Sequence, residues 1–198
     1  MPTLSQELTL DRCPHCNVDT PSLRQVSIHQ THTHTKQNAR IWGIYNCSRC
    51  GGIVIAAAAQ QGGKVKEIYP TARVVDDAIP VKAKAFLEQA LGSLHAPAGA
   101  IMLAASAIDA MLKEKGYKEG HLSPRINQAA KDHLITEEMA TWAHKVRLDA
   151  NGQRHADDSL DLPTEPEAQM TVEFALALGE FLFVLPARVR KGLSSKSD

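Results

Sequence analysis

Cys13-Pro14-His15-Cys16 and Cys47-Ser48-Arg49-Cys50-Gly51-Gly52 hold every cysteine of the chain, as two Cys-x-x-Cys pairs. One such turn sets two thiolates on one side of a tetrahedron, and a second turn completes it. The start of the chain has no basic region followed by an apolar run, so it reads as no secretory signal. Thiols at this spacing in a reducing compartment ligate metal rather than pair as disulfides. Cys13, Cys16, Cys47 and Cys50 therefore predict one structural Zn²⁺ per chain, because four protein ligands leave no position for water or substrate. Gly51 and Gly52 fall where backbone amides must come close to the thiolates. His15, inside the first knuckle, reads as exposed rather than as a fifth ligand.

Around the knuckles the sequence has the period of strands. Val26 and Ile28 alternate with polar residues, as do Trp42 and Ile44, and 52–59 is a run of β-branched and small apolar residues. Gln61-Gly62-Gly63 marks a turn before a last strand over 65–69. A small antiparallel sheet, a zinc ribbon, is expected over residues 1–70, followed by a linker over 71–80. From Val81 the period becomes helical: Ala83, Phe86, Leu87, Ala90, Leu91 and Leu94 share a face. Further helices are expected after Pro97, at Ser123-Pro124, after Thr136 and after Thr164. Thr164 and Glu167 are spaced as a capping box. The expectation is an α+β chain whose second part, 81–193, is an all-helical bundle of about five helices, with a polar, disordered tail over 194–198. The last helix has two apolar stripes, one through Phe174, Leu178, Phe181, Leu182 and Leu185, the other through Val172, Leu176 and Phe183. That predicts either a central helix or one shared with a second subunit in a homodimer.

Hydrophobic residues are 43% and charged residues 22% of the 198, the composition of a water-soluble globular chain, and no run of about 20 apolar residues is present. No membrane partner is expected, and the cytoplasm is the expected location. Lysine plus arginine equals aspartate plus glutamate, 22 each, so the net charge makes no case for nucleic acid. Residues 1–70 carry seven basic against four acidic side chains and the remainder 15 against 18, which directs the search for an anionic partner to the N-terminal part. The ribbon is either a rigid appendage or a surface for nucleic acid or protein.

Two further groups of residues could carry chemistry. Of His29, His32 and His34, the last two would point to the same face of a strand that extends through them, which suits either a metal or a plain polar surface. Arg147, Asn151 and His155, spaced four and four, would lie along one face of a helix. There His155 could take a proton from a ribose hydroxyl while Arg147 stabilises charge on phosphorus and Asn151 orients the substrate or His155. Eight residues of helix span about 12 Å, so this chemistry needs a break at Asn151-Gly152 to bring the two ends together. The alternative is a buried polar network that ties two helices.

The knuckles Cys-Pro-His-Cys and Cys-Ser-Arg-Cys-Gly, Tyr69-Pro70, the segment 146–156 and the ending 181–188 together resemble a bacterial family called domain of unknown function 4145. That family is similar in turn to the HEPN superfamily. The resemblance implies a HEPN-like helical bundle, often dimeric, in a superfamily that includes metal-independent ribonucleases of toxin and phage-defence systems. This chain departs from the nuclease pattern in three places. Seven residues separate Arg147 from His155, Ala150 stands where glycine is usual, and Ser106 stands where an arginine is expected in the second helix. The function expected is a zinc-binding, nucleic-acid-associated module of a bacterial defence or stress system. The alternatives are an endoribonuclease using His155 and Arg147, or a structural adaptor for a protein partner.

Overall fold

A computed structural model of the chain describes residues 2–71, 74–155, 157 and 159–194. The chain forms two compact units, Met1–Arg73 and Val74–Asp198, each with its own apolar core.

The first unit is an antiparallel meander of five strands in the order β1 (Glu7–Leu8), β2 (Leu23–Thr31), β3 (Arg40–Cys47), β4 (Ile53–Ala58) and β5 (Glu67–Tyr69). Alternation along β3 and β4 puts Tyr45, Cys47, Val54 and Ala56 on the inner face, where they bury Leu4, Leu8 and Leu23. Tyr45 is fully buried, so its hydroxyl needs a partner, and it donates to the Ser5 carbonyl at 2.9 Å. The turn from β3 to β4 is the second cysteine knuckle itself. The last strand is shorter than the period over 65–69 suggests. Val65 lies outside the ladder, and although the Lys66 amide still bonds to the Ala57 carbonyl at 2.8 Å, the regular register with β4 covers only Glu67–Tyr69.

The second unit is helical: α1 (Val81–Gly92), α2 (Pro97–Glu114), α3 (Leu122–Lys131), α4 (Glu137–His155), α5 (Glu165–Gly179) and α6 (Leu185–Ser194). A π-helical turn, Glu180–Val184, joins α5 to α6, so Glu165–Ser194 runs as one 30-residue helix and the described residues of the unit form five helical rods. The architecture is thus α+β. Cap chemistry sets the starts of α4 and α5. The Met139 amide bonds to Thr136 Oγ1 at 3.2 Å, and the Thr164 amide donates to Glu167 Oε2 at 2.7 Å in a capping box.

The central helix is α2, which buries Ile101, Ala104, Ile108, Met111 and Leu112 and packs on α1, α3, α4 and α5. That changes the reading of the last helix. Val172 is buried in the unit's own core, and Leu176 and Phe183 pack against it. Lys115 lies over the Phe183 ring, 4.4 Å from its centre. Both stripes are therefore largely covered within the chain. What stays exposed is the row Phe181, Leu185, Val189 and Leu193, because α6 buries no residue. Glu165–Ser194 is also long and apolar enough to span a bilayer, but its inner side, including Phe174, Leu178 and Leu182, forms core. Of the tail expected over 194–198, Ser194 closes α6 and 195–198 lie outside the described residues.

Candidate metal centre and cationic cleft

The two cysteine knuckles have the same backbone. In the first, the Asn17 amide bonds to the Cys13 carbonyl (2.9 Å) and the Cys13 amide to the Val18 carbonyl (3.0 Å). In the second, Gly51 bonds back to Cys47 (2.8 Å) and Cys47 to Gly52 (2.9 Å). Closing such a turn puts the residue after the second cysteine in the left-handed region: Asn17 has φ 54° and Gly51 φ 70°. The sequence reading singled out the glycine and missed Asn17. The signal was available, since asparagine is the side-chain-bearing residue that best tolerates this conformation.

These turns bring Cys13, Cys16, Cys47 and Cys50 together, with all four sulfurs within 4.8 Å of one another and Cys13 Sγ 3.9 Å from Cys50 Sγ. Sulfurs about 2.3 Å from a shared tetrahedral ion would stand about 3.8 Å apart. The donor set and its spacing therefore suit one metal ion, and it is the only such cluster among the described residues. Burial raises the thiol of Cys16 to about 12, with the Cys50 and Cys13 thiols adding to the effect against a backbone bond to Val18. Burial is the largest single influence on Cys47 and acts the same way, but the amides of Cys50 and Arg49 together with the Cys13 and Cys50 thiols outweigh it and bring that thiol down to about 7. The cluster thus holds thiols of unequal acidity, and a cation replacing their protons would satisfy all four.

His15 is exposed and serves as a strut, not a ligand. Its Nε2 donates to the Ile53 carbonyl at 2.7 Å, which ties the first knuckle to β4. A Cβ at Gly52 would lie 2.5 Å from the His15 ring, so the close approach behind that glycine is to a side chain. The Gly52 amide also points at Cys50 Sγ, 3.4 Å away. His32 and His34 do not share a strand face. The strand β2 ends at Thr31, leaving His32 and His34 in the connection to β3. These two and His29 are exposed, with His29 against Ser27 Oγ at 3.0 Å.

In the helical unit, α4 runs without a break through Asn151 and Gly152. Leu160 explains why this glycine interrupts nothing. It packs onto the helix so closely that a Cβ at Gly152 would sit 2.2 Å from Leu160 Cδ1, so the position needs absence of a side chain rather than a turn. Arg147 and Asn151 line a cleft of about 400 Å³, and His155 is not among its lining residues. Helix geometry accounts for this. Relative to Arg147, Asn151 is rotated by about 40° and His155 by about 80°, whereas Arg154 is offset by only about 20°. Arg154 is the residue that lines the cleft.

The cleft collects cations from four helices: Lys82 of α1, Lys113 of α2, Arg125 of α3, and Arg147 and Arg154 of α4. His121, at the start of α3, also lines it, as does Ser106. Asp109 is its one carboxylate among the described residues, and it is fully engaged, accepting from Arg125 and standing 2.5 Å from Lys113 Nζ. Arg125 is 8% exposed and also donates to the carbonyls of Lys118 and Gly120, which makes it a structural pillar. Arg147 differs. Among the described residues it has no hydrogen bond or ion pair, and its Nε, like that of Arg125, is buried without a partner. The polar tie between helices α3 and α4 is made elsewhere, by His144 Nε2 and Asn127 Oδ1 at 2.7 Å. Burial, and then the charge of Arg147, hold the His144 pKa below its ordinary value.

A family model described as Domain of unknown function (DUF4145) matches residues 88–196. No curated protein and no solved structure matches the chain.

Proposed function

The chain belongs to the DUF4145 family, and from that premise and the geometry of its two sites we propose a zinc-stabilised module that binds RNA without cutting it. In this reading the helical unit is HEPN-like and serves a bacterial defence or stress system. The ion is Zn²⁺, held by Cys13, Cys16, Cys47 and Cys50, and it acts by closing the ribbon rather than by chemistry, since four thiolates fill its shell.

One observation carries the reading. Among the described residues, Arg147 is an unpaired guanidinium in a cleft with four other cations, and the only carboxylate there is already neutralised. Leaving buried guanidinium nitrogen unsatisfied is costly, and an anion is the natural partner. Cleavage by His155 and Arg147 has no comparable support, because His155 is outside the cleft that Arg147 lines. A homodimer belongs to the same reading, formed through the exposed row on α6.

Fluorescence anisotropy of a labelled single-stranded RNA tests this. Binding should weaken linearly in log–log form with salt, and Arg147→Ala should reduce the slope by roughly 0.7, the effect of neutralising one phosphate fewer. Absence of salt-dependent binding would leave the chain as an adaptor for a protein partner. Metal-independent cleavage that disappears in His155→Ala would establish the nuclease instead.

A further inference from the structure

The four cysteines are not equally shielded, and the difference decides which of them can react. Cys13 and Cys47 are each 1% exposed and Cys16 is half-buried, whereas Cys50 is exposed. Its place in the second knuckle accounts for this. Ser48, Arg49 and Gly51 around it are exposed as well. A Cβ at Gly51 would meet no atom within 4 Å, so none of the described residues roofs that side of the turn. A thiolate that solvent reaches is open to oxidation, while a buried one is inert. Cys13 Sγ, on the other knuckle, lies 3.9 Å from Cys50 Sγ. An oxidised Cys50 therefore meets a second thiol at once, and the two sulfurs need only close that gap to the roughly 2.05 Å of a disulfide.

Resting on the zinc reading but testable apart from it, we propose that Cys50 is an oxidation site through which hydroperoxides release the ion, with Cys13 as its disulfide partner. The Cys50 sulfur attacks the outer oxygen of the hydroperoxide. An S–O bond forms, the O–O bond breaks, and the departing alkoxide or hydroxide takes a proton from solvent. Cys13 then attacks the Cys50 sulfur: the S–S bond forms, the S–O bond breaks, and hydroxide leaves as water with a second solvent proton. The two thiolates have lost two electrons and the hydroperoxide has gained them. A disulfide carries no thiolate charge, and Cys16 and Cys47 alone are too few for a closed tetrahedral site, so the ion departs. Reducing the disulfide restores all four ligands, which makes the step reversible.

Elemental analysis of the full chain comes first, with one zinc per chain expected. That chain is then titrated with hydrogen peroxide, free zinc being read by a chromogenic chelator and the cysteines by dimedone trapping and non-reducing peptide mass spectrometry. Zinc should leave at one per chain, with dimedone on Cys50 at early times and a Cys13–Cys50 disulfide at the end. A phosphine reductant with added Zn²⁺ should restore the metal. Cys50→His keeps four ligands of kinds that zinc accepts and should slow the release about tenfold or more, since the exposed thiol is gone. If that variant loads no zinc, the mapping on wild type decides alone. Trapping first on another cysteine, a final disulfide other than Cys13–Cys50, or unchanged release from zinc-loaded Cys50→His overturns the proposal. A chain that holds zinc and keeps it through a peroxide excess that fully oxidises free glutathione ends this proposal alone. A chain that holds no zinc as purified ends the zinc reading with it.

Discussion

Arg125 and Arg147 reach the same cleft from neighbouring helices, and their surroundings give them opposite roles. Arg125 is held by Asp109 and two backbone carbonyls, so removing it strands a carboxylate and two acceptors. Arg125→Ala should cost about 3 kcal/mol of stability, as expected when one partner of a largely buried pair is removed. Arg147 forms no bond among the described residues, so Arg147→Ala should change stability by less than about 0.5 kcal/mol or raise it. Denaturant unfolding of both variants checks the contrast. A loss at Arg147 as large as at Arg125 would mean that it is part of the scaffold. At this scale the sequence was informative only where chemistry is local. Four cysteines in two short turns could be paired by spacing alone. The cations of the cleft come from four helices separated by loops, and no spacing rule connects Lys82 to Arg154.

At the scale of elements, α4 shows why a stripe read from sequence can be half right. The residues at i and i+4, Arg147 and Asn151, do share the cleft, but drift of about 20° per seven residues favours Arg154 over His155 for the third place. Asn151-Gly152 reads as a break in isolation, and only the packing of Leu160 reveals that the glycine makes room instead. The same limit applies to the last helix. Its two apolar stripes were visible in the sequence, while the neighbours that cover Val172 and Phe183 were not. This separates two substitutions that would otherwise look equivalent. Val172 is 1% exposed, so Val172→Asp should unfold the helical unit by burying an unpaired charge. Leu185 is 51% exposed, so Leu185→Asp should leave the fold intact and split the proposed homodimer. Circular dichroism with light scattering distinguishes these outcomes, and a wild-type monomer at micromolar concentration would remove the dimer from the account.

For the whole molecule, the two separate cores predict separate unfolding. Cys47→Ser should lose the metal and melt the sheet of the first unit, while the helical signal persists through the independent core around Ile108 and Met111. A single cooperative loss of both would contradict this. Charge, too, is distributed in a way that bulk counting conceals. Residues from 71 onward carry 15 basic against 18 acidic side chains, yet among the described residues the cleft in that part has five cations and one acid. The expectation that an anionic partner meets the N-terminal part came from sums, and the fold concentrates the opposite sign elsewhere. The most direct test is therefore a salt series of RNA-binding titrations on wild type, Arg147→Ala/Arg154→Ala and His155→Ala. With two phosphates fewer neutralised, the double variant's log–log slope should flatten by roughly 1.4, with His155→Ala like wild type and the RNA recovered intact. RNA binding by the double variant equal to wild type, at every salt concentration, would contradict the account.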